Sequence, residues 1–556
     1  MQLIKTILLL LAILIPAIAG AIITSVLYFL FFAPISIITL GFGLAVNSIT
    51  VCYSMTYLQF LSRPNELSAK DSLREARAIG MPAIVTTILT SLAMLFSGIS
   101  VFEHLGMVAA VSVMASLVFM HTFSPAILTA ISPGKSTYLP LKHIISRLSR
   151  TGKKGAFVGS AFGIIMLYFA MPGLVISLTL LKMLILVGAV TTVLMFLFFL
   201  DWKLTLSCLV PVLFTLICML STLVLSVSHL DISSLMLIVI LVVIGAGYSL
   251  YFVRSRQRYG DWAHASFELV KTAVFLSCAF AIIVFLALCF AEYPSLKSAG
   301  LIASVGICSI LIGNFVIIPP IVDYLFQRRA EDLKKYPTEP HALVLRRYRN
   351  MEPYPRLFAL FKLRLDPMFS ELGGLLESWS GVNSILDIGT GYGVPAAWCL
   401  ERFKDARIYG IEPDGERVRV ASAAVGNRGH IVQGMAPEIP EAPEPADAAL
   451  MLDMMHYLSD EQLELALKGI RSTLRKNGRL VIKVAVPYQR TPSCLWRFEN
   501  FRLRLFRIPV YYRLPETIGK ALNMAGFEIE IAAQSRFNAE LFWFVAKAVH
   551  ETRKSR

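Results

Sequence analysis

SILDIGTGYGVPAAWCLERFKDARIYGIEPD, residues 384–414, runs from an apolar strand through a glycine-rich turn and a helix into a second strand that ends in an acid. Glycines at 389, 391 and 393 let the backbone turn tightly and approach a ligand without a Cβ in the way, and the helix behind them presents free amides. Glu412 ends the second strand 19 residues after Gly393, where a carboxylate can accept both hydroxyls of a ribose. The stretch therefore reads as a nucleotide-cofactor site. It stands behind a long region of apolar segments, which places any chemistry at a membrane face.

Composition supports that division. The chain has 556 residues, 56% hydrophobic and 16% charged, too long for one domain and too apolar to be wholly soluble. Residues 6–62 carry no formal charge, enough for two spans of about 20 residues. Uncharged runs recur at 106–132, 156–181, 183–200, 204–230, 232–253, 272–291 and 298–322, with a further span at 81–101. Ten spans are predicted.

A formal net charge of +15 raises the question of nucleic acid, but its placement gives another reading. Cations gather in alternate loops: Lys5, then Arg63, Lys70, Arg74 and Arg77, then residues 135–154, Lys203, Arg254 to Arg258, and Arg328, Arg329, Lys334 and Lys335. The intervening turns are short and poor in cations. The positive-inside rule then puts both termini and the C-terminal domain on the cytoplasmic side of a plasma (inner) membrane, and no nucleic-acid partner is expected. Residues 1–20 share features with a cleavable leader, yet the apolar run continues to Phe32, so an uncleaved span is favoured. The eight cysteines include no CxxC pair and six lie within predicted spans, so neither a disulfide nor a metal site is expected.

An internal parallel repeat runs through the apolar region, residues 1–326, with copies at about 1–132 and 178–326. Ile13-Leu14-Ile15-Pro16, Ser36 to Leu40 and Gly43 to Ser48 are echoed by Leu209-Val210-Pro211-Val212, Ser233-Ser234-Leu235 and Gly245 to Ser249. Each copy then passes through a basic loop to a hairpin with a glycine near the start of its second helix, Gly106 or Gly300. The pattern resembles the membrane halves of resistance-nodulation-division exporters, particularly the mycobacterial-membrane-protein-large type that handle lipids and other hydrophobic molecules.

Departures from that pattern matter as much. The resemblance implies twelve spans and two large extracytoplasmic porter domains, whereas the first copy here begins at what corresponds to the third span and only Pro172-Gly173 stands at the second porter position. The family's intramembrane acids are matched by Asn47 and Gly247, neither of which exchanges a proton near neutral pH. The only charge inside a predicted apolar stretch is Lys182, near a span end, where it can snorkel. A scaffold, a lipid-access path or a half-pump completed by a separate porter or transport subunit all remain open.

After a charged linker at 327–353, strands and helices alternate as in a doubly wound sheet, and a short basic tail follows at 551–556. The expected units are strands 383–388, 406–411, 430–433, 447–453 and 479–486, helices 392–403, 414–425 and 460–475, a break at Gly478, and a closing helix 517–525 with strands 527–533 and 541–548. The order resembles class I methyltransferases that use S-adenosylmethionine, over residues 354–550. The fold class is therefore a polytopic α-helical membrane domain followed by an α/β Rossmann-like methyltransferase domain. Asp387-Ile388-Gly389-Thr390-Gly391-Tyr392-Gly393 matches the family's first motif, and Asp453 to Tyr457 its fourth-strand exit. By this resemblance Asp387 lies near the amino-acid end of the cofactor, Glu412 on the ribose and Met435-Ala436 beside the adenine, with Gly389, Thr390, Gly391, Gly393 and Asp453 completing the cofactor set. Met435 stands where many relatives have an acid. An NAD(P)-binding fold and a cofactor-free degenerate fold are the alternatives.

Methyl transfer is an in-line displacement, so alignment does most of the work and a base is needed only if the acceptor must lose a proton. His456 is the candidate base, with Tyr457 and Asp453 as further candidates for catalysis or pocket lining; His456 alternatively packs at a helix start. The Lys362 to Pro367 run is either a lid over the cofactor, with Lys362 or Arg364 near its carboxylate, or a helix start capped by Asp366. Residues 488–513 interleave Trp496, Phe498, Phe501, Phe506, Tyr511 and Tyr512 with arginines, which suits a membrane interface, a lid over a hydrophobic acceptor or a substrate cap. The function expected is a membrane-anchored methyltransferase acting on a hydrophobic or lipid-linked small molecule. The alternative is an exporter-like protein whose fused domain modifies or senses cargo.

Overall fold

The computed structural model describes residues 2–31, 36–61, 69–131, 145, 152–171, 177–226, 232–334, 340–439, 442–486, 494–505 and 507–549. The chain divides into two compact units, Met1–Asp332 and Leu333–Arg556. The turn at Pro172-Gly173, the run 488–490 and the tail 551–556 lie outside the described residues.

In the first unit, ten helices among the described residues are long and apolar enough to cross a membrane. The helices of this unit are α1 (Gln2–Phe31), α2 (Ile37–Ala45), α3 (Ser48–Leu61), α4 (Ala69–Ala93), α5 (Ser100–Thr122), α6 (Ser124–Ile131), α7 (Gly152–Ala170), α8 (Leu178–Phe199), α9 (Trp202–Ser226), α10 (Ile232–Tyr259), α11 (Ala265–Leu288), α12 (Pro294–Ile312) and α13 (Ile318–Lys334), of which the short α6 belongs to none of the ten spans. The pair α2–α3 makes one span, and α12 runs into α13 through a π turn at Gly313–Ile317. Every residue of α10's apolar stretch is buried, so this helix is the hub of the unit. A helix apolar all round belongs in such a place.

Corresponding helices of the two repeats make corresponding contacts. α1 packs on α5 as α9 packs on α12, and α11 packs on α3 as α4 packs on α10. The repeated glycines have a steric cause. A Cβ on Gly106 would stand 2.3 Å from Ser91 O, and one on Gly300 2.8 Å from Phe285 O, so each hairpin closes backbone to backbone. Asn47 is fully engaged by neutral partners: its Nδ2 donates to Ser112 Oγ (2.5 Å) and Ala17 O (3.3 Å), and its Oδ1 accepts from Ser116 Oγ (3.1 Å). At Gly247 a Cβ would approach Ile49 Cδ1 to 3.0 Å, leaving a carboxylate no room without displacing that side chain.

The second unit is a seven-stranded sheet of order β3-β2-β1-β4-β5-β7-β6. The strands are β1 (Ser384–Ile388), β2 (Arg407–Glu412), β3 (Gly429–Gln433), β4 (Ala446–Leu452), β5 (Leu474–Ala485), β6 (Phe527–Gln534) and β7 (Leu541–Ala548). The pairings among β1 to β5 are parallel, and β7 is antiparallel to both β5 and β6. Side chains alternate between the faces: Ile385, Leu450 and Val481 enter one core, and Leu386, Ile388, Met451, Leu480 and Ile482 the other. Helices α14 (Pro340–Tyr348), α15 (Pro353–Leu365), α16 (Met368–Leu375), α17 (Val394–Arg402) and α18 (Gly415–Val425) supply the first core. On the second face lie α19 (Asp460–Thr473) and α21 (Pro515–Met524), while α20 (Cys494–Leu505) falls between β5 and α21 in the chain. The chain winds outward from β1 on one side and from β4 on the other, which opens a crevice at the carboxyl ends of those two strands, where ligands bind in such sheets.

Two expectations change. Residues 340–353 are not a linker: Val344 and Tyr348, four apart on α14, are fully buried and pack against α17 and α18. The charges of Arg346 and Arg347 disguise that apolar stripe. Nor does Gly478 break the polypeptide before the fifth strand, since β5 begins at Leu474. A left-handed Asn477 (φ 67°) and a register shift opposite residues 446–448 absorb the irregularity within the strand.

Candidate active site

Local chain geometry builds the site outward from β1. Asp387 sits near its carboxyl end, and the turn that follows has all three glycines at positive φ: Gly389 at 77°, Gly391 at 57° and Gly393 at 77°. Each has a different neighbour. A Cβ on Gly393 would lie 2.9 Å from Ala421 Cα and one on Gly389 3.0 Å from Met454 Cγ, so these two fit the turn to α18 and to the β4 exit. At Gly391 no atom lies within 4 Å of a Cβ position, so this glycine faces open space. Thr390 Oγ1 donates to Asp387 O (3.1 Å), and Tyr348 OH on α14 donates to Tyr392 O (2.7 Å), fixing the turn from outside. Glu412, almost fully buried, accepts from Gly391 N (2.9 Å) and Asp414 N (3.2 Å), so its carboxylate is held beside the glycine turn.

Asp387 is 2% exposed, and its Oδ2 is buried with no hydrogen-bond partner among the described residues. Burial is the main force on its carboxyl, opposed by Thr390 and reinforced by the nearby Glu412, and pushes its pKa up to about 7. A buried acceptor left unsatisfied in an open crevice suits a ligand that brings a donor. Met435 is exposed at the end of β3, while Ala436 is buried in the second core, so the Ala436 methyl packs on the sheet.

A second constellation gathers at the ends of β4 and β5. Asp453 follows β4 with a left-handed backbone, φ 56°, an uncommon conformation for a residue other than glycine. Its Oδ2 accepts from Lys483 Nζ (3.0 Å) and Lys362 Nζ (3.4 Å). Asp366 pairs with the same two lysines, Lys483 at 3.4 Å and Lys362 more closely, so two carboxylates and two ammoniums form one closed network. Burial works against the Asp453 charge, but Lys483 and then Lys362 outweigh it and hold the carboxyl below its ordinary value. Lys362 balances the same way: burial disfavours its charge, and Asp453 and Asp366 raise its pKa overall. In the Lys362 to Pro367 run the structure shows the capping role of Asp366 and the ion pairs of Lys362. Asp366 Oδ1 caps Met368 N (2.9 Å), and Lys362 reaches the site while Arg364 stays exposed.

His456 is 7% exposed and sits in an aromatic stack, 4.1 Å from the Tyr457 ring and 5.7 Å from that of Tyr512, which in turn lies 4.6 Å from Trp496 on α20. The stack is pinned by Tyr511 N donating to His456 O (2.7 Å) and by buried Arg513, which reaches Leu458 O (2.7 Å) and Asp460 (2.7 Å). Trp496, Tyr511, Tyr512 and Arg513 therefore cover the β4 exit. Tyr457 remains the more exposed of the two candidates. Lys483 was not singled out from the sequence, although one lysine inside the apolar run Leu480-Val481-Ile482-Lys483-Val484 carries the signal of a buried, paired charge.

Residues 385–478 match the family model described as a methyltransferase domain, and residues 65–152 match the MMPL family. The chain carries a methyltransferase domain beside an MMPL-family region. An uncharacterised methyltransferase of Geobacillus kaustophilus is 26% identical over 174 residues, 30% of this chain and 77% of that protein. Another from Geobacillus sp. (strain WCH70) is 28% identical over 130 residues, 23% of this chain and 56% of that one. Among solved structures, the pyocyanin biosynthetic protein PhzM is similar at 20% identity and a TM-score of 0.30, covering 42% of this chain and 68% of that one.

The cofactor of this domain is S-adenosylmethionine, and the residues present fit it: an unsatisfied buried acid at Asp387, open space over Gly391, and a held carboxylate at Glu412.

Proposed function

We propose that this chain is a membrane-anchored methyltransferase that acts on a hydrophobic or lipid-linked small molecule at the cytoplasmic face. The observation that carries the reading is the crevice between β1 and β4, where a cofactor cradle and an aromatic-covered β4 exit stand side by side. When bound, S-adenosylmethionine supplies an electrophilic methyl group on a sulfonium.

The chain's own residues bind and align. Asp387 and the glycine turn hold the amino-acid end, and Glu412 orients the ribose. The Lys362, Asp366, Asp453, Lys483 network fixes the β4 exit through charges that leave no net charge of their own. His456, Tyr457, Tyr512 and Trp496 form a wall that excludes water and favours an apolar, flat portion of the acceptor. For an acceptor hydroxyl, Tyr457 or His456 at the β4 exit would take the proton, while the cofactor would give up its methyl group by cleavage of the carbon–sulfur bond and leave as the neutral thioether.

The alternative, an exporter with a cargo-modifying domain, finds less support, because the positions of the family's titrating acids hold Asn47 in a neutral network and a crowded Gly247.

The test is a comparison by mass spectrometry of membrane extracts from cells with the wild-type chain and with Gly391→Val. The reading expects a hydrophobic product that is lighter by one methyl increment in the variant. Identical extracts would exclude it.

A further inference from the structure

Helix α20 carries two unlike faces. Trp496, Asn500 and Leu503, spaced four and three apart, lie toward the body of the unit. Leu503 is buried, the Trp496 ring is 4.6 Å from that of Tyr512, and Asn500 Oδ1 accepts from Tyr512 OH (3.1 Å). This face supports the stack on His456. The other face is turned outward. Phe501 and Leu505, four apart, are 63% and 66% exposed, and Arg497 and Arg504 are exposed with them.

The helix ends in a cap that keeps both kinds of side chain at the surface. Ile508 N donates to Leu503 O (2.9 Å) and Arg507 N to Arg504 O (3.0 Å), with Arg507 left-handed at φ 53°. Glycine is the usual residue at that position, because a Cβ makes the left-handed backbone unfavourable. An exposed arginine stands there instead, beside the exposed Ile508. Residues 496–514 hold five arginines against one acid, Glu499, and of the five only Arg513 is buried, on Asp460. The last membrane-length helix ends at Arg329 and the second unit begins at Leu333, so the covalent chain keeps this unit close to a bilayer.

We propose that the outer face of α20 and its cap dock on a bilayer surface that carries anionic headgroups. Phe501, Leu505 and Ile508 enter the interface, and Arg497, Arg502, Arg504 and Arg507 meet the lipid phosphates. A two-fold contact between copies of the chain would set these arginines against each other. RNA would use the arginines and the Phe501 ring but would leave Leu505 and Ile508 against water or phosphate. Docking is independent of the methyl-transfer reading. It places lipid on one side of α20 and the wall formed by Trp496 and Tyr512 on the other.

The full chain is placed in nanodiscs of phosphatidylcholine alone and of phosphatidylcholine with phosphatidylglycerol, and amide hydrogen exchange of the peptide spanning 496–508 is followed in both. Phosphatidylglycerol is expected to slow that exchange at least about tenfold and to leave α19 unchanged, since each cation at an anionic surface contributes about five-fold. Raising the salt from about 0.1 M to about 1 M shortens the screening length from about 10 Å to about 3 Å and is expected to remove most of the effect. Arg497→Gln with Arg504→Gln is expected to return exchange to the rate in phosphatidylcholine, while Arg497→Lys with Arg504→Lys keeps it slow. Equal exchange in the two discs would overturn the proposal. Slowing in both discs that neither salt nor the glutamine variants change would mean that protein covers this face, and would overturn it too. A single-stranded RNA that slows exchange where phosphatidylglycerol does not would reassign the face to nucleic acid.

Discussion

Asp387 links sequence to a measurable pH dependence. Its carboxyl is neutral below about 7 in the cofactor-free protein because burial disfavours the charge. A ligand ammonium beside it favours the carboxylate, so binding below that pH must also expel a proton. Affinity for S-adenosylmethionine is therefore expected to rise about tenfold per pH unit up to about 7 and then level off. Asp387→Asn is expected to bind more weakly with a flat profile, as calorimetric titration between pH 5.5 and 8.5 would show. Lys483, with its side chain 3% exposed, belongs to a different balance. Lys483→Met leaves Asp453 and Asp366 sharing Lys362 alone, and loss of one partner from a buried charge network costs about 3–5 kcal/mol. The thermal transition of the second unit should fall accordingly; an unchanged transition would show that the network is not closed through Lys483.

At the scale of elements, the glycine turn divides its labour between folding and binding. Gly391→Ala meets open space but carries the strain of a left-handed backbone, φ 57°, so it is expected to weaken cofactor binding at least tenfold at a cost of about 1 kcal/mol in stability. Gly393→Ala drives a Cβ to 2.9 Å from Ala421 Cα at a positive φ, and is expected to destabilise the unit by about 1–3 kcal/mol. Thermal unfolding and titration of both variants separate the two roles. The β1 to β2 unit was legible in the sequence because its signals are local: an apolar strand, glycines two apart and an acid ending the next strand. The helix Pro340–Tyr348 was not, since two buried side chains among arginines and a histidine look like a charged connection until a sheet is there to receive them. The start of β5 was hidden by Asn477-Gly478, which reads as a stop but forms an irregularity inside the ladder. Lys362, Asp366, Asp453 and Lys483 come together from elements far apart in the chain, and nothing in their local sequence announces the meeting.

The whole molecule joins a ten-helix MMPL-like unit to a methyltransferase unit. The repeat was visible in sequence as echoed motifs, and the close approach of the two hairpins gives Gly106 and Gly300 their physical reason. The neutral setting of Asn47 argues that methyl transfer draws nothing from a proton gradient. A protonophore is accordingly expected to leave product formation in intact membranes unchanged, and its loss would restore the coupled-exporter reading. The most direct measurement follows the methyl group itself. Membranes containing the full chain are incubated with S-adenosylmethionine labelled in its methyl group, and the organic-soluble fraction is counted for wild type and Gly391→Val. Label entering a hydrophobic product with wild type and falling to background with the variant is the expected result. Organic-soluble label equal in both, or label confined to aqueous products, would contradict a membrane-anchored methyltransferase of hydrophobic acceptors.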